Sequence, residues 1–479
     1  MAGIQPFPGD KYPSYIEIKQ EKSMKKNDTF EIEITDLGTH GEGIGRYEGM
    51  TFFIKEAIVG DRVLASAMKL KKSYGYARIV EILEPSKNRV EPKCPIAKTC
   101  GGCQIQNMDY QAQLAWKEQM VKNDLVRLGG FDQAYIDSIS ESIIGMENPW
   151  RYRNKAQYPV GLDKNGEIVM GFYASHSHRI IDAEDCYLGA EENHDLLEAV
   201  KSWMVKNHVK PYDEVTGKGL VRHVLIRQGV HTDQTMVCLI INGTKIPDES
   251  GLIAYLKAAS ERIYSISLNV NKKRNNVILG EETRTIWGED TITDKIGDIS
   301  FRISPKSFFQ VNPEQMEKLY RKALEYAGLT GTEYVYDLYC GIGTISLFLA
   351  KKAGHVTGIE IVPEAIQDAK ENATRNAIGN ADFFAGATED VLPKLVREGN
   401  KADVIMLDPP RKGCEASVIE TILGEKPERI VYVSCDPATM ARDVKLFCAS
   451  GEYQLTKACA VDQFGHTAHC EAVVKLERI

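Results

Sequence analysis

The chain has 479 residues, too many for one ordinary core, so two or three domains are expected. Hydrophobic content of 43% and charged content of 26% are those of a globular protein in water; no run approaches the ~18 apolar residues of a membrane span and no signal-like apolar region opens the chain, so a cytoplasmic protein with no membrane contact is expected. A net charge of −8 excludes a protein that is basic throughout, but leaves room for a local basic patch that holds nucleic acid.

Residues 1–23 carry scattered prolines and charges without a period and read as a tail with no assigned function. From 24 to about 85, short alternating runs at 30–34, 51–54, 62–65 and 76–82, divided by glycine turns, predict a small β-barrel of OB type. Between 62 and 80 there are five basic residues and no acidic one, interleaved with Tyr74 and Tyr76. RNA backbone contact with base stacking and a plain solvated edge fit that segment equally well.

The run CPIAKTCGGC then places Cys94, Cys100 and Cys103 in C-x5-C-x2-C spacing, with Cys186 a distant fourth candidate. Thiols so clustered in a cytosolic chain read as ligands rather than disulfide halves. Four thiolates suit either Zn²⁺ or an iron–sulfur cluster. Three clustered cysteines with Gly101-Gly102 between them and one remote ligand, instead of two paired knuckles, favour [4Fe–4S] in a structural or RNA-orienting role. Helical apolar spacing covers 107–128 and stops at Gly129-Gly130. In 150–160, Arg151, Arg153 and Lys155 alternate, which on a strand puts them on one face; Trp150, Tyr152 and Tyr158 tilt the segment toward RNA contact over a solvated face. Mixed strands and helices continue to about 300.

The last third changes character. A strand at 335–338 runs into the turn Cys340-Gly341-Ile342-Gly343-Thr344, and a second strand ends in Glu360, 19 positions after Gly341. That is the layout of a nucleoside-binding βαβ unit with a carboxylate for ribose hydroxyls. Ser346 stands where a dinucleotide fingerprint wants its third glycine, and D-x-x-x-G-x-G is instead similar to the first motif of S-adenosylmethionine-dependent methyltransferases. A further strand, 402–407, ends in Asp408-Pro409-Pro410-Arg411. The strand opening at Arg429 stops at Cys435, where Asp436 is a good N-cap and Pro437 a good first helical residue. A lone cysteine is more often a small buried hydrophobe. This one shares the ligand edge of the sheet with Glu360 and Asp408, and it faces a helix N-terminus that favours the thiolate, with Asp436 opposing. In methyltransferase sheets the last strand is antiparallel and lies beside this one, which brings Glu471 to Cys435 as a carboxylate base beside a thiolate nucleophile.

With these motifs the chain resembles the RNA (uracil-5-)-methyltransferases, most closely the 23S ribosomal RNA branch, over nearly everything after residue 23. The motifs are the four cysteines, SFFQVN with Gln310, DLYCGIG with Tyr339 and Gly341, Glu360, DPPR with Asp408, SCDPAT with Cys435 and HTAHCEAV with Glu471. The resemblance implies a TRAM barrel at 24–85, a central α+β iron–sulfur domain at 86–305 whose helix 107–128 packs with the catalytic part, and a Rossmann-like α/β methyltransferase domain at 306–479. It implies S-adenosyl-L-methionine held by Gln310, Tyr339, Gly341, Glu360 and Asp408, and a [4Fe–4S] cluster on Cys94, Cys100, Cys103 and Cys186. Cys435 becomes the nucleophile, Glu471 the base, and RNA the partner of a monomer. The transfer-RNA branch lacks the barrel and the cluster, which favours ribosomal RNA. Cys470, where an aliphatic residue is commoner, and residues 1–23 depart from the pattern. The alternatives are C5 methylation of transfer-RNA uridine or of RNA cytidine, an iron–sulfur redox enzyme, and a non-catalytic RNA-binding protein.

Overall fold

The computed structural model describes residues 24–175, 177–183, 185–399 and 401–479, so the tail expected at 1–23 lies outside the described residues. The chain forms two compact units, divided near Ser86, with 39–41 belonging to the second. Among the described residues no helix is long and apolar enough to cross a membrane.

The first unit is a six-stranded sheet in the order Thr29–Glu33, Arg62–Leu70, Tyr74–Glu84, Met50–Lys55, Gly43–Tyr47, Asp36–Leu37. Period-two alternation puts Phe30, Ile32, Phe52, Ile54, Val63 and Ala65 inside. A Cβ on Gly45 would lie 2.4 Å from the Glu33 carbonyl, so glycine there lets the first strand close over Gly43–Tyr47 and curls the sheet. The basic segment 62–80 divides. Arg62 is spent on Glu31 at 2.7 Å and Glu84 at 2.6 Å, whereas Lys69, Lys71, Lys72 and Arg78 are exposed. Lys69 and Arg78 stand on the strands, and Lys71 and Lys72 in the turn, that carry or flank a ring cluster of Phe53, Tyr74 and Tyr76 with centroids 5.7–5.9 Å apart.

The second unit holds two large sheets. A seven-stranded sheet spans Lys155–Leu162 to Glu282–Gly288, and its core is shared with the helices Asn193–Lys206 and Glu249–Ala259. The eight-stranded sheet runs Ala381–Ala385, His355–Glu360, Tyr334–Leu338, Val404–Leu407, Arg429–Ser434, Glu471–Arg478, Tyr453–Val461, Ser140–Ile144. Its first five strands are parallel and Glu471–Arg478 is antiparallel to its neighbours. Helices cover both faces through two separate apolar clusters, the doubly wound arrangement.

The segment 86–305 does not stay together. Asp109 caps the helix Tyr110–Arg127, whose Val121 and Leu125 enter the apolar cluster under the helix Pro437–Ala449, and Ser140–Ile144 becomes the edge strand of the eight-stranded sheet. The hairpin Ile292–Ile296/Ile299–Ile303 shares the apolar cluster on one face of that sheet, so the layer around it takes in residues before 306. The expected basic strand face at 150–155 is absent, because the strand begins only at Lys155. Arg151 sits at φ 58° and forks onto Asp185 with two 2.6 Å bonds, Lys155 is largely buried with its ammonium pushed down to about 8, and Tyr158 and Tyr152 are core residues. Arg151 therefore serves the structure and not a nucleic-acid face.

Candidate active site

The sheet order reverses between Tyr334–Leu338 and Val404–Leu407, and ligands of open α/β sheets bind at that crevice beyond the carboxyl ends of the strands. Four carboxyl groups gather along this edge. Glu360 accepts the Gly341 amide at 3.2 Å and the Val362 amide at 2.9 Å. Asp337, fully buried, accepts the Ser346 hydroxyl, so the serine that spoils a dinucleotide fingerprint has a bond of its own. Burial, followed by the nearby charges of Asp408 and Glu360, pushes Asp337 up to about 7. Burial alone takes Asp408 to about 7. Asp337 and Asp408, held this far above the carboxylate range, make a site that a cation would relieve, and the sulfonium and ammonium of S-adenosylmethionine are cations. Gly341, at φ 55°, has no atom within 4 Å of where a Cβ would stand, which leaves room at the turn. The residues fit that cofactor.

Cys435 follows Ser434, the last residue of its strand, and Asp436 caps the next helix by accepting the Thr439 amide at 3.1 Å. Ala472 pairs with Ser434 across the antiparallel ladder, which sets Glu471 beside Cys435. Glu471 is 2% exposed, and burial followed by Asp408 raises its carboxyl to about 8. The half-exposed Cys435 thiol is pushed up to about 11, first by burial and then by Glu471 and Asp408; the nearby Arg411 guanidinium works the other way. Burial and the two carboxyls thus oppose the helix N-terminus expected to favour the thiolate, and Arg411 is the local counter-charge.

Tyr339 adopts φ 75°, costly for a tyrosine and typical of sites where surroundings impose it. Its hydroxyl has Cys414 and Thr388 as neighbours. Gln310 lies in the loop before the helix Pro313–Ala327, its carbonyl accepting Asn154 at 3.0 Å. That helix carries Tyr320, buried close to Asp408 and Glu471. The sequence reading missed Arg411 and Tyr320. The arginine stands in plain view in DPPR, but nothing local says that its guanidinium reaches residue 435. Cys470, the departure from the aliphatic pattern, is 1% exposed and packs as a small apolar side chain.

The other cysteines sit elsewhere in the second unit. Cys94, Cys100, Cys103 and Cys186 line one cavity of about 290 Å³ together with Arg153 and Lys155. Burial pushes the Cys103 thiol up to about 12, and its three neighbours add to the shift, so this thiol is costly to ionise without a positive centre beside it. Gly101 would bring a Cβ to 3.0 Å from the Tyr173 carbonyl, and the Gly102 amide donates to Cys100 Sγ at 3.3 Å. Among the described residues no group of three or more His, Cys, Asp or Glu is gathered closely enough to hold a metal ion.

A family model described as tRNA (Uracil-5-)-methyltransferase matches residues 231–479, and one for the TRAM domain matches 24–80. The chain is 47% identical to an uncharacterized RNA methyltransferase of Clostridium tetani over 95% of its own length and 98% of the relative's. It is also 47% identical to one of Halalkalibacterium halodurans, over 96% and 99%. Its structure is similar, with a TM-score of 0.75 and 27% identity, to the Pyrococcus abyssi tRNA (uracil-54, C5)-methyltransferase in complex with S-adenosyl-L-homocysteine, over 93% of this chain and 99% of that one.

Proposed function

Because this chain belongs to the tRNA (uracil-5-)-methyltransferase family of S-adenosylmethionine-dependent RNA-modifying enzymes, we propose that it methylates C5 of a uridine in 23S ribosomal RNA through a covalent bond from Cys435 to C6. The observation that carries this reading is the meeting of Cys435 with Glu471, Asp408 and Arg411 at one sheet edge.

Uracil C5 is too weak a nucleophile to take a methyl group unaided. Addition of the Cys435 sulfur to C6 makes C5 enolate-like, and Arg411 beside the sulfur offsets the charge of the thiolate that must form. Bound S-adenosylmethionine supplies the electrophilic methyl group that C5 takes. Glu471 then removes the C5 proton, the C5–C6 double bond re-forms, and Cys435 leaves as thiolate. Glu360 at the Gly341 turn is placed for ribose hydroxyls, while Asp408, Tyr339 and Gln310 join it by motif. The target base must leave its stack to reach this edge. Cytidine would need a partner for N3 that only Asp408 could offer, so uridine is preferred.

Cys94, Cys100, Cys103 and Cys186 would hold a [4Fe–4S] cluster whose contribution is structural, with Arg153 and Lys155 in the same cavity offsetting its negative charge. A cytoplasmic setting, where thiols stay reduced, is part of this reading. The barrel does not choose between RNAs. The Pyrococcus abyssi enzyme, named for transfer RNA, matches 93% of this chain, a share that cannot be reached without part of the barrel. The ribosomal choice rests on the motif resemblance. Mapping 5-methyluridine in ribosomal and transfer RNA from a deletion strain tests it: loss of the mark from 23S RNA alone is expected, and loss from transfer RNA alone would move the substrate.

A further inference from the structure

The chain between the last two strands, 462–470, leads directly into Glu471 and is held from two remote segments. Lys117 meets Asp462 at 2.6 Å with both side chains fully buried, and donates to the Phe464 carbonyl at 3.0 Å. Tyr110 donates to the other Asp462 oxygen at 2.8 Å. Gln113 accepts the His466 amide at 3.0 Å and lies 3.1 Å from His466 Nδ1. Tyr110, Gln113 and Lys117 follow helical spacing, so one face of the helix Tyr110–Arg127 makes all these bonds. His466 is held at φ 65°, in the left-handed region, with Trp150 stacked on it at 3.8 Å.

The second anchor is the cysteine segment. The amides of Gln104 and Ile105 donate to the His466 carbonyl at 3.1 and 3.2 Å. The Gln104 side chain then bridges: its oxygen accepts the Ala468 amide at 3.2 Å, and its nitrogen donates to the carbonyl of Gly101, between Cys100 and Cys103, at 2.9 Å. One amide side chain thus ties the cysteine turn to a residue three positions before Glu471.

We propose that Gln104 and Gln113 are positioning residues for Glu471, fixing 466–468 so that the carboxylate meets the C5 proton, and that Gln104 couples this placement to the cysteine turn. The inference rests on the reading of Glu471 as the base. A base acts only within hydrogen-bond reach of its proton, and a displacement of about 1 Å can cost on the order of a hundred-fold in rate. The ladder to Arg429–Ser434 begins at Ala472, and on the other side Glu471 pairs with Val461 as the first residue of its strand, so the chain feeding into it bears on where the carboxylate points. Addition of Cys435 and methyl transfer come before proton removal and do not use this placement.

Single-turnover reactions with substrate RNA and methyl donor test this in Gln104→Leu, Gln113→Leu, Gln104→Glu and Glu471→Gln. Formation of the denaturation-resistant protein–RNA bond, its methyl content and its release are followed separately, with RNA affinity and iron content as checks. Both leucine variants are expected to form the methylated adduct at the wild-type rate and to release it on the order of ten- to a hundred-fold more slowly. Gln104→Glu keeps the oxygen that accepts the Ala468 amide and is expected to restore release. Wild-type release in both leucine variants would overturn the inference, as would equal slowing of adduct formation and release, the mark of a merely structural role. If Gln104→Leu does not fold, Gln113→Leu alone decides by the same criteria. Absence of a methylated adduct in Glu471→Gln would remove the base itself, whereas its presence alongside normal release in the leucine variants would sink only the positioning role.

Discussion

Arg411 lies beside the Cys435 thiol and acts against the two carboxyls that raise it, and both residues are referred to the same helix. Cys435 stands just before Pro437–Ala449, and that helix holds the Arg411 loop through Asp443, which accepts the Cys414 amide at 2.8 Å, and Arg442, which donates to the Lys412 carbonyl at 2.9 Å. Counter-charge and nucleophile are therefore fixed to one rigid element.

Arg411→Met removes what opposes the two carboxyls and should raise the thiol further. Formation of the covalent bond should slow by about ten-fold or more, with binding of the methyl donor retained. RNA carrying 5-fluorouridine has no C5 proton to lose, so its adduct persists and isolates the early steps. With it, Arg411→Met is expected to be slow, Glu471→Gln to match wild type, and Cys435→Ala to give no adduct. A slow Glu471→Gln on this RNA would place the glutamate before methyl transfer.

Stability should carry the mark of Glu471. Its carboxyl is raised to about 8 in the folded protein, against about 4.3 unfolded, so the fold prefers the protonated form. The stabilisation is complete below the unfolded value and is lost as pH rises through the folded one. The melting temperature of the free wild-type protein, relative to Glu471→Gln, should therefore fall between about pH 4 and pH 8. A difference that stays constant across that window would mean that the carboxyl is not held protonated.

Much of the catalytic layer was legible because its signals are local. A strand that stops at Cys435 before Asp436 and Pro437, or at Glu360 after the Gly341 turn, needs no distant partner to be recognised. Glu471 was placed beside Cys435 only through the expected antiparallel last strand, and the ladder between Ala472 and Ser434 is that relationship. What failed were basic residues whose partners lie far away in sequence. Arg151 looks free until Asp185 folds onto it, Arg62 until Glu31 and Glu84 do, and the buried pair of Lys117 with Asp462 has no sequence signal at all. Burial and two carboxyls beside Cys435 oppose the expected thiolate, and unlike the helix terminus they leave no local signal in the sequence.

The division of the basic barrel segment gives a prediction. Replacing Lys69, Lys71, Lys72 and Arg78 together by Ala should weaken RNA binding and flatten its salt dependence, because all four are exposed near the Phe53, Tyr74 and Tyr76 rings. Arg62→Ala should leave affinity and salt slope nearly unchanged, because its charge is already met by two glutamates. Equal effects from the two proteins would return the whole segment to a general solvated surface.

The cysteine cavity yields the last prediction. Burial and mutual proximity keep the Cys103 thiol protonated unless a positive centre joins it, so protein purified without air should contain about four irons and little zinc. Metal binding in such a segment is folding free energy, because the turn around Gly101 and Gly102 has few apolar contacts of its own. Cys100→Ser should lose iron and lower the melting temperature, and the loss should extend to the catalytic sheet, since Gln104 bonds both the Gly101 carbonyl and the Ala468 amide. Hydrogen exchange can read this directly. Amides at 466–472 should exchange faster in Cys100→Ser than in wild type, while those of the sheet's far strand, Ala381–Ala385, should not change. Stoichiometric zinc without iron would sink the cluster, and unchanged exchange at 466–472 would show that the cysteine turn and the base are held independently.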